Sequence, residues 1–255
     1  MKKRFGQHFL SDKSILRRII AFANIEPDHA VVEIGPGAGS LTRELAAAAH
    51  RVIGIEIDRD LIPALRNGMP SNVEIVEGDA LDLDFATLAA EPFHLVGNLP
   101  YNVATPLFKR FIAARRHILD VTVMIQKEVA QRIAARPGSG EYSPLSVLVQ
   151  YYADVKYGFS VPPGAFRPRP KVDSSVIRLE WRPDVADATA FTDFVHRAFS
   201  SRRKTLANNL LAMFPSIPRE AVIERLHACA IKPGARPEEL SIPEFQRVYN
   251  QFGLQ

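Results

Sequence analysis

Ala30-Val31-Val32-Glu33-Ile34-Gly35-Pro36-Gly37-Ala38-Gly39 is the stretch on which the fold turns. A short apolar run that ends in alternating glycines reads as a buried parallel strand entering a sharp turn. Glycine there lets the backbone bend tightly and lets a ligand approach the main chain. Residues 40–49, rich in Ala and Leu, follow as a helix, with Ser40 as its candidate cap. Further out, strands are predicted over 51–56, 73–77, 93–97 and 121–125. Helices are predicted over 60–66 and 106–114. Strands alternating with helices imply a parallel sheet with right-handed crossovers, an α/β fold.

After Gln126 the pattern changes. Residues 127–135 and 144–152 read as helices, and 156–161 and 174–181 as paired strands around the proline-rich loop 162–170. Arg182-Pro183-Asp184 is the best boundary, giving a first domain over 1–183 and a second over 184–255. The second reads as all helical, with helices over 191–199, 205–214, 219–228 and 243–252. No internal repeat or low-complexity tract interrupts the chain.

With 255 residues, 47% apolar and 24% charged, the chain has the composition of an ordinary soluble protein with room for one large and one small domain. Its single cysteine, Cys229, excludes a disulfide framework and a thiolate metal cluster, and suits a reducing cytoplasm. The basic start lacks the apolar stretch of a secretion signal. No run reaches the roughly 18 apolar residues of a membrane span. The net charge of +4 is modest, but its distribution is uneven. Lys3 and Arg4, Arg115 and Arg116, Arg167, Arg169 and Lys171, and Arg202, Arg203 and Lys204 form local basic clusters, some beside aromatics such as Phe5, Phe166 and Phe199. Each alone suits a solvated face. Together they point to a polyanion, and RNA contacts are assigned to them.

The glycine loop does not fit the dinucleotide fingerprint, because glycine falls at 39 and serine at 40, and Pro36 removes a backbone donor. The spacing Gly35, Gly37, Gly39, entered from the acidic strand residue Glu33, is that of S-adenosylmethionine enzymes. Glu56 ends the second strand, where a carboxylate can accept both ribose hydroxyls. Asp79 follows the third, where it or a neighbouring amide can read an adenine amine. Three consecutive strands ending in ligand-suited groups on one sheet edge indicate a nucleoside cofactor.

Asn98-Leu99-Pro100-Tyr101 closes the fourth strand. Asn and Pro are ordinary turn residues, yet an amide, backbone carbonyls and a flat ring also suit a planar base bearing an exocyclic amine. Asn98 and a carbonyl of Leu99 or Pro100 would accept the amine protons and concentrate its lone pair on nitrogen. Tyr101 would stack on the base. Phe166 is a candidate second ring for a flipped base, or else a core anchor beneath the proline loop.

Taken together these residues resemble the KsgA-type (RsmA) small-subunit ribosomal RNA adenine dimethyltransferases. The similarity runs over nearly the whole chain, through Lys3–Leu10, Val32–Gly37, Gly97–Asn102, Gln126–Val129, Phe166 with Pro168–Ser174, and Arg202–Thr205. It implies a Rossmann-like class I S-adenosylmethionine-dependent methyltransferase with a small all-helical C-terminal domain. Two methyl groups would go to N6 of each of two adjacent adenosines in the 3′-terminal hairpin loop of 16S rRNA. The implied substrate is a small ribosomal subunit assembly intermediate, met by a monomeric, cytoplasmic enzyme needing no metal or membrane. Family cofactor contacts fall on His8, Leu10, Gly35, Glu56, Asp79 and Asn98. His8 departs from the family's frequent Asn and brings a pH-dependent charge. The arm from Phe5 to Leu10 is expected to order over the cofactor. The rival readings are a large-subunit rRNA adenine methylase of the antibiotic-resistance type and a non-catalytic ribosome assembly factor.

Overall fold

The structure, a computed structural model, describes residues 7–100, 103–183, 185–201 and 203–253. Lys3, Arg4, Tyr101 and Arg202 lie outside the described residues. The chain divides into two compact units. One holds the described residues up to Ala130 together with Ala153–Trp181; the other holds Gln131–Tyr152 and the described residues from Arg182 onward. The second unit therefore takes in the 131–152 segment, which a single boundary at 183 leaves in the first.

The first unit is built on seven strands: β2 (Ala30–Ile34), β3 (Arg51–Glu56), β4 (Val73–Glu77), β5 (Phe93–Asn98), β6 (Ile118–Gln126), β7 (Ala153–Val161) and β9 (Ser174–Trp181). Their order across the sheet is β4-β3-β2-β5-β6-β9-β7. The pairings from β4 to β6 are parallel, while β9 runs antiparallel between β6 and β7. Every residue of β2 is buried, as expected of a parallel strand covered on both faces. The helices of this unit are α1 (Lys13–Ala23), α2 (Ser40–Ala48), α3 (Ile62–Gly68), α4 (Ala104–Ala113) and the start of α5 (Lys127–Ile133). Chain order reverses between β2 and β5, so the crevice beyond their carboxyl ends is the topological switch point where α/β sheets bind ligands.

Three local features differ from the sequence reading. Gly39, at φ +76°, caps α2 without a side-chain bond, so Ser40 is the first helical residue rather than the cap. α1 has no counterpart among the predicted helices. Its Lys13, Arg17 and Arg18 are exposed, while Ile15, Leu16, Ile19 and Ala23 form its buried face, and Asp12 accepts the N–H groups of Ser14 and Ile15 at its start. Finally, β1 (Phe9–Leu10) pairs antiparallel with β8 (Phe166–Arg167), which fastens the N-terminal arm to the loop before β9.

The described part of the second unit is helical, with α6 (Pro144–Tyr152), α7 (Thr189–Ala198), α8 (Leu206–Met213), α9 (Arg219–Ala228) and α10 (Ile242–Gln251). Phe191, Phe194, Leu206, Leu210, Leu226 and Phe245 lie in its own apolar core. No helix among the described residues is long and apolar enough to cross a membrane.

Candidate active site

A cleft of about 190 Å3 opens at the carboxyl edge of β2 to β5. Its wall is assembled from strand ends: Gly35 to Ala38 after β2, Glu56 and Ile57 at the end of β3, Gly78 to Leu81 after β4, and Asn98 to Pro100 after β5. The arm residues Gln7 to Leu10 complete it. Of the residues assigned from sequence, His8, Leu10, Gly35, Gly37, Glu56, Asp79, Asn98, Leu99 and Pro100 all meet here. Gly39 does not line the cleft; it serves the turn into α2.

The glycine loop is shaped by contacts on two sides. Gly37 has φ +59°, and a Cβ there would stand 2.9 Å from the Phe9 ring of the arm. Gly54, on β3, leaves the space that the Pro36 ring fills, since a Cβ there would stand 2.6 Å from it. The Gly35 N–H donates to the Ile55 carbonyl at 2.9 Å, tying the loop to the next strand.

Glu56 is buried and uses both carboxylate oxygens. Oε2 accepts the Gly37 N–H at 2.9 Å and Oε1 accepts the Asp58 N–H at 2.8 Å. The glycine loop and the β3 exit are thus locked to one carboxylate, whose remaining lone-pair positions are suited to hydroxyl donors. Asp79 accepts the Leu81 N–H at 2.9 Å, which fixes the turn after β4.

Asn98 lies at the last position of β5, and its amide Nδ2–H donates to the His8 carbonyl at 3.1 Å. The same strand end is held when the Leu99 N–H donates to the Met124 carbonyl at 3.0 Å. The His8 ring faces Pro168, with Nδ1 2.8 Å from its carbonyl. A carbonyl only accepts, so the proton sits on Nδ1.

Glu33 is a wall residue that the sequence reading uses only as a motif letter. It is buried to 1% exposure, and its Oε2 has no hydrogen-bond partner among the described residues. Burial pushes its carboxyl up to about 8; the Glu56 charge adds to the push and the Thr42 hydroxyl opposes it. An acidic group of this kind, short of a partner on a cleft wall, fits a cationic ligand group. Glu33, the hydroxyl-suited Glu56 and the Asp79 turn together fit a nucleoside that carries an amino-acid side arm, such as S-adenosylmethionine.

Phe166 is placed elsewhere. It is 1% exposed and sits in the core that also holds Leu10, Ile15, Leu16 and Ile19. In this structure its ring packs as a core anchor and does not line the cleft. Local composition does not separate the two, because the pairing with Leu10 that buries it spans most of the chain.

Arg167, Arg169 and Lys171 are exposed on the loop between β7 and β9, at the same sheet edge as the cleft. Arg115 and Arg116 precede β6 and lie at the opposite edge. Arg203 and Lys204 are exposed immediately before α8, in the helical unit.

A family model described as ribosomal RNA adenine dimethylase matches residues 1–253. A protein of Hahella chejuensis named ribosomal RNA small subunit methyltransferase A is 42% identical over 97% of this chain and 91% of its own. A dimethyladenosine transferase from Plasmodium falciparum superposes with a TM-score of 0.82 at 28% identity, covering 96% of this chain and 98% of that one. A 23S rRNA methyltransferase, ErmE, superposes at 0.73 and 30% identity over 96% of this chain and 99% of that one.

Proposed function

This chain belongs to the ribosomal RNA adenine dimethylase family, and from that premise we propose a specific reaction at the cleft. The enzyme is an S-adenosylmethionine-dependent rRNA methyltransferase acting on the small subunit. It places two methyl groups on N6 of each of two adjacent adenosines in the 3′-terminal hairpin loop of 16S rRNA. Its substrate is a late small-subunit assembly intermediate, met in the cytoplasm by a monomer without a metal.

The observation that carries this reading is the setting of Asn98. Its Nδ2 is committed to the His8 carbonyl, which leaves Oδ1 as the acceptor for a substrate amine. An adenine N6 is a poor nucleophile because its lone pair is delocalised into the ring. Accepting its protons at Asn98 Oδ1 and a carbonyl of Leu99 or Pro100 favours a pyramidal nitrogen with a localised pair. Preorganised polar groups of this kind are typically worth about 3 kcal/mol. The cofactor supplies an already activated sulfonium methyl, so orientation does most of the remaining work. In this reading Glu56 holds the ribose hydroxyls and Asp79 with its turn reads the cofactor's adenine. Glu33 faces the amino-acid end, and His8 and Leu10 close the arm over the ligand. Tyr101 stacks on the target base. The basic residues Arg167, Arg169 and Lys171 bind phosphates beside the cleft, while Lys3, Arg4, Arg115, Arg116, Arg202, Arg203 and Lys204 extend the RNA contacts.

The 42% identity over 97% of this chain to a protein named ribosomal RNA small subunit methyltransferase A favours the small subunit. Labelled methyl transfer to undermethylated small and large subunits, assayed separately, tests the choice. Incorporation into small-subunit rRNA is expected; label on large-subunit rRNA alone overturns it.

A further inference from the structure

We infer that Gln7 and Asp58 are a positioning pair for methyl transfer, a clasp that joins the ribose-side carboxylate to the catalytic amide through the N-terminal arm. The inference rests on the reading of the cleft given above and adds two residues to its working parts.

Asp58 is only 7% exposed, and both of its carboxylate oxygens are engaged. Oδ1 accepts the Asp60 N–H at 3.1 Å, which shapes the turn after β3, and Oδ2 accepts the Gln7 Nε2–H at 3.0 Å. The Asp58 N–H in turn donates to Glu56 Oε1. On the other side, the residue after Gln7 offers its carbonyl to Asn98 Nδ2. A continuous path therefore runs from Glu56 through Asp58, Gln7 and His8 to Asn98.

The placement of the other fastenings shows why this bond matters. The His8 ring meets Pro168, Phe9 and Leu10 pair with β8, and the Ser11 N–H donates to the Ala165 carbonyl at 3.0 Å. All of these tie the arm to the 165–168 loop. Gln7 instead ties it to the β3 exit, across the mouth of the cleft. Without that bond the arm loses its tie to the β3 exit, and the hold that keeps the His8 carbonyl against Asn98 weakens. The amide then rotates and its acceptor oxygen loses its place. A lost hydrogen bond to a charged group is worth tenfold or more.

The test uses a reversal of the donor direction. Gln7→Glu sets two carboxylates against each other. Adding Asp58→Asn restores a bond in which the amide now at position 58 donates to the carboxylate now at position 7. Three measurements are made on the full-length protein: S-adenosylhomocysteine affinity by calorimetry, amide exchange of residues 8–11, and kcat and KM on small subunits. Gln7→Glu is expected to weaken S-adenosylhomocysteine binding and lower kcat, each by about tenfold or more, with faster exchange over 8–11 and a nearly unchanged KM for the subunit. The double variant is expected to recover most of the loss in all three. Unchanged kcat and exchange in Gln7→Glu overturn the inference, and so does a double variant no better than the single one. A parent protein that fails to bind S-adenosylhomocysteine at all refutes the cleft assignment instead.

Discussion

The Glu33 carboxyl, held up to about 8 by burial, makes stability depend on pH in a definite direction. Its ordinary value is 4.5, so between 4.5 and about 8 the folded chain keeps a proton that the unfolded chain releases. Stability from this group is complete below 4.5 and is lost as pH rises toward 8. Glu33→Gln keeps the shape and cannot ionise. Thermal unfolding of that variant is expected to change less between about pH 5 and about pH 9 than that of the parent. Equal slopes for the two proteins would show that Glu33 is ionised in the fold. At this scale the sequence is informative wherever a residue type carries its chemistry locally. Gly35, Glu56, Asp79 and Asn98 each end or follow a readable strand, and all four reach the cleft. Glu33, Gln7 and Asp58 escape such a reading because a side chain's partners, or lack of them, are set by the fold rather than by its neighbours in the chain.

The elements that position these residues are legible in proportion to how locally they are determined. β2 and β3, buried along nearly their whole length, lie where their apolar runs predict, and the edge strand β4 also matches its predicted bounds although only Ile75 in it is buried. β1 and β8 have two residues each and exist only because positions about 160 apart pair; no local pattern announces them. The same limit applies to the turn between α7 and α8, which carries Arg203 and Lys204. There the buried Asn209 donates Nδ2–H to the carbonyls of Ala198 and Ser201 at 2.8 and 3.1 Å, clamping the turn from inside. Asn209→Leu leaves both carbonyls without that donor, and each buried loss costs about 1–3 kcal/mol. A fall in melting temperature of several degrees is expected by calorimetry. An unchanged transition would mean the turn holds without the clamp.

For the molecule as a whole, the α/β class and the helical C-terminal segment follow from the change in periodicity after Gln126. The contacts of 131–152 do not. That segment is separated from 182 onward by the β7–β9 hairpin, yet it shares a compact unit with it, and only folding brings such distant stretches together. Phe166 obeys the same rule: a phenylalanine amid prolines and arginines suits either a base-stacking ring or a core anchor, and the pairing of β8 with β1 buries it. What the full assembly of strand ends adds is one cleft in which the glycine loop, Glu56, Asp79 and Asn98 share a wall. Asn98, oriented through its bond to His8, is proposed to enable N6 methylation. The decisive measurement is mass spectrometry of the 3′ hairpin of small-subunit rRNA after incubation with S-adenosylmethionine and either the parent or Asn98→Ala. Two adjacent dimethyladenosines are expected with the parent and at most a trace of methylation with the variant; near-normal dimethylation by Asn98→Ala would refute the role given to Asn98.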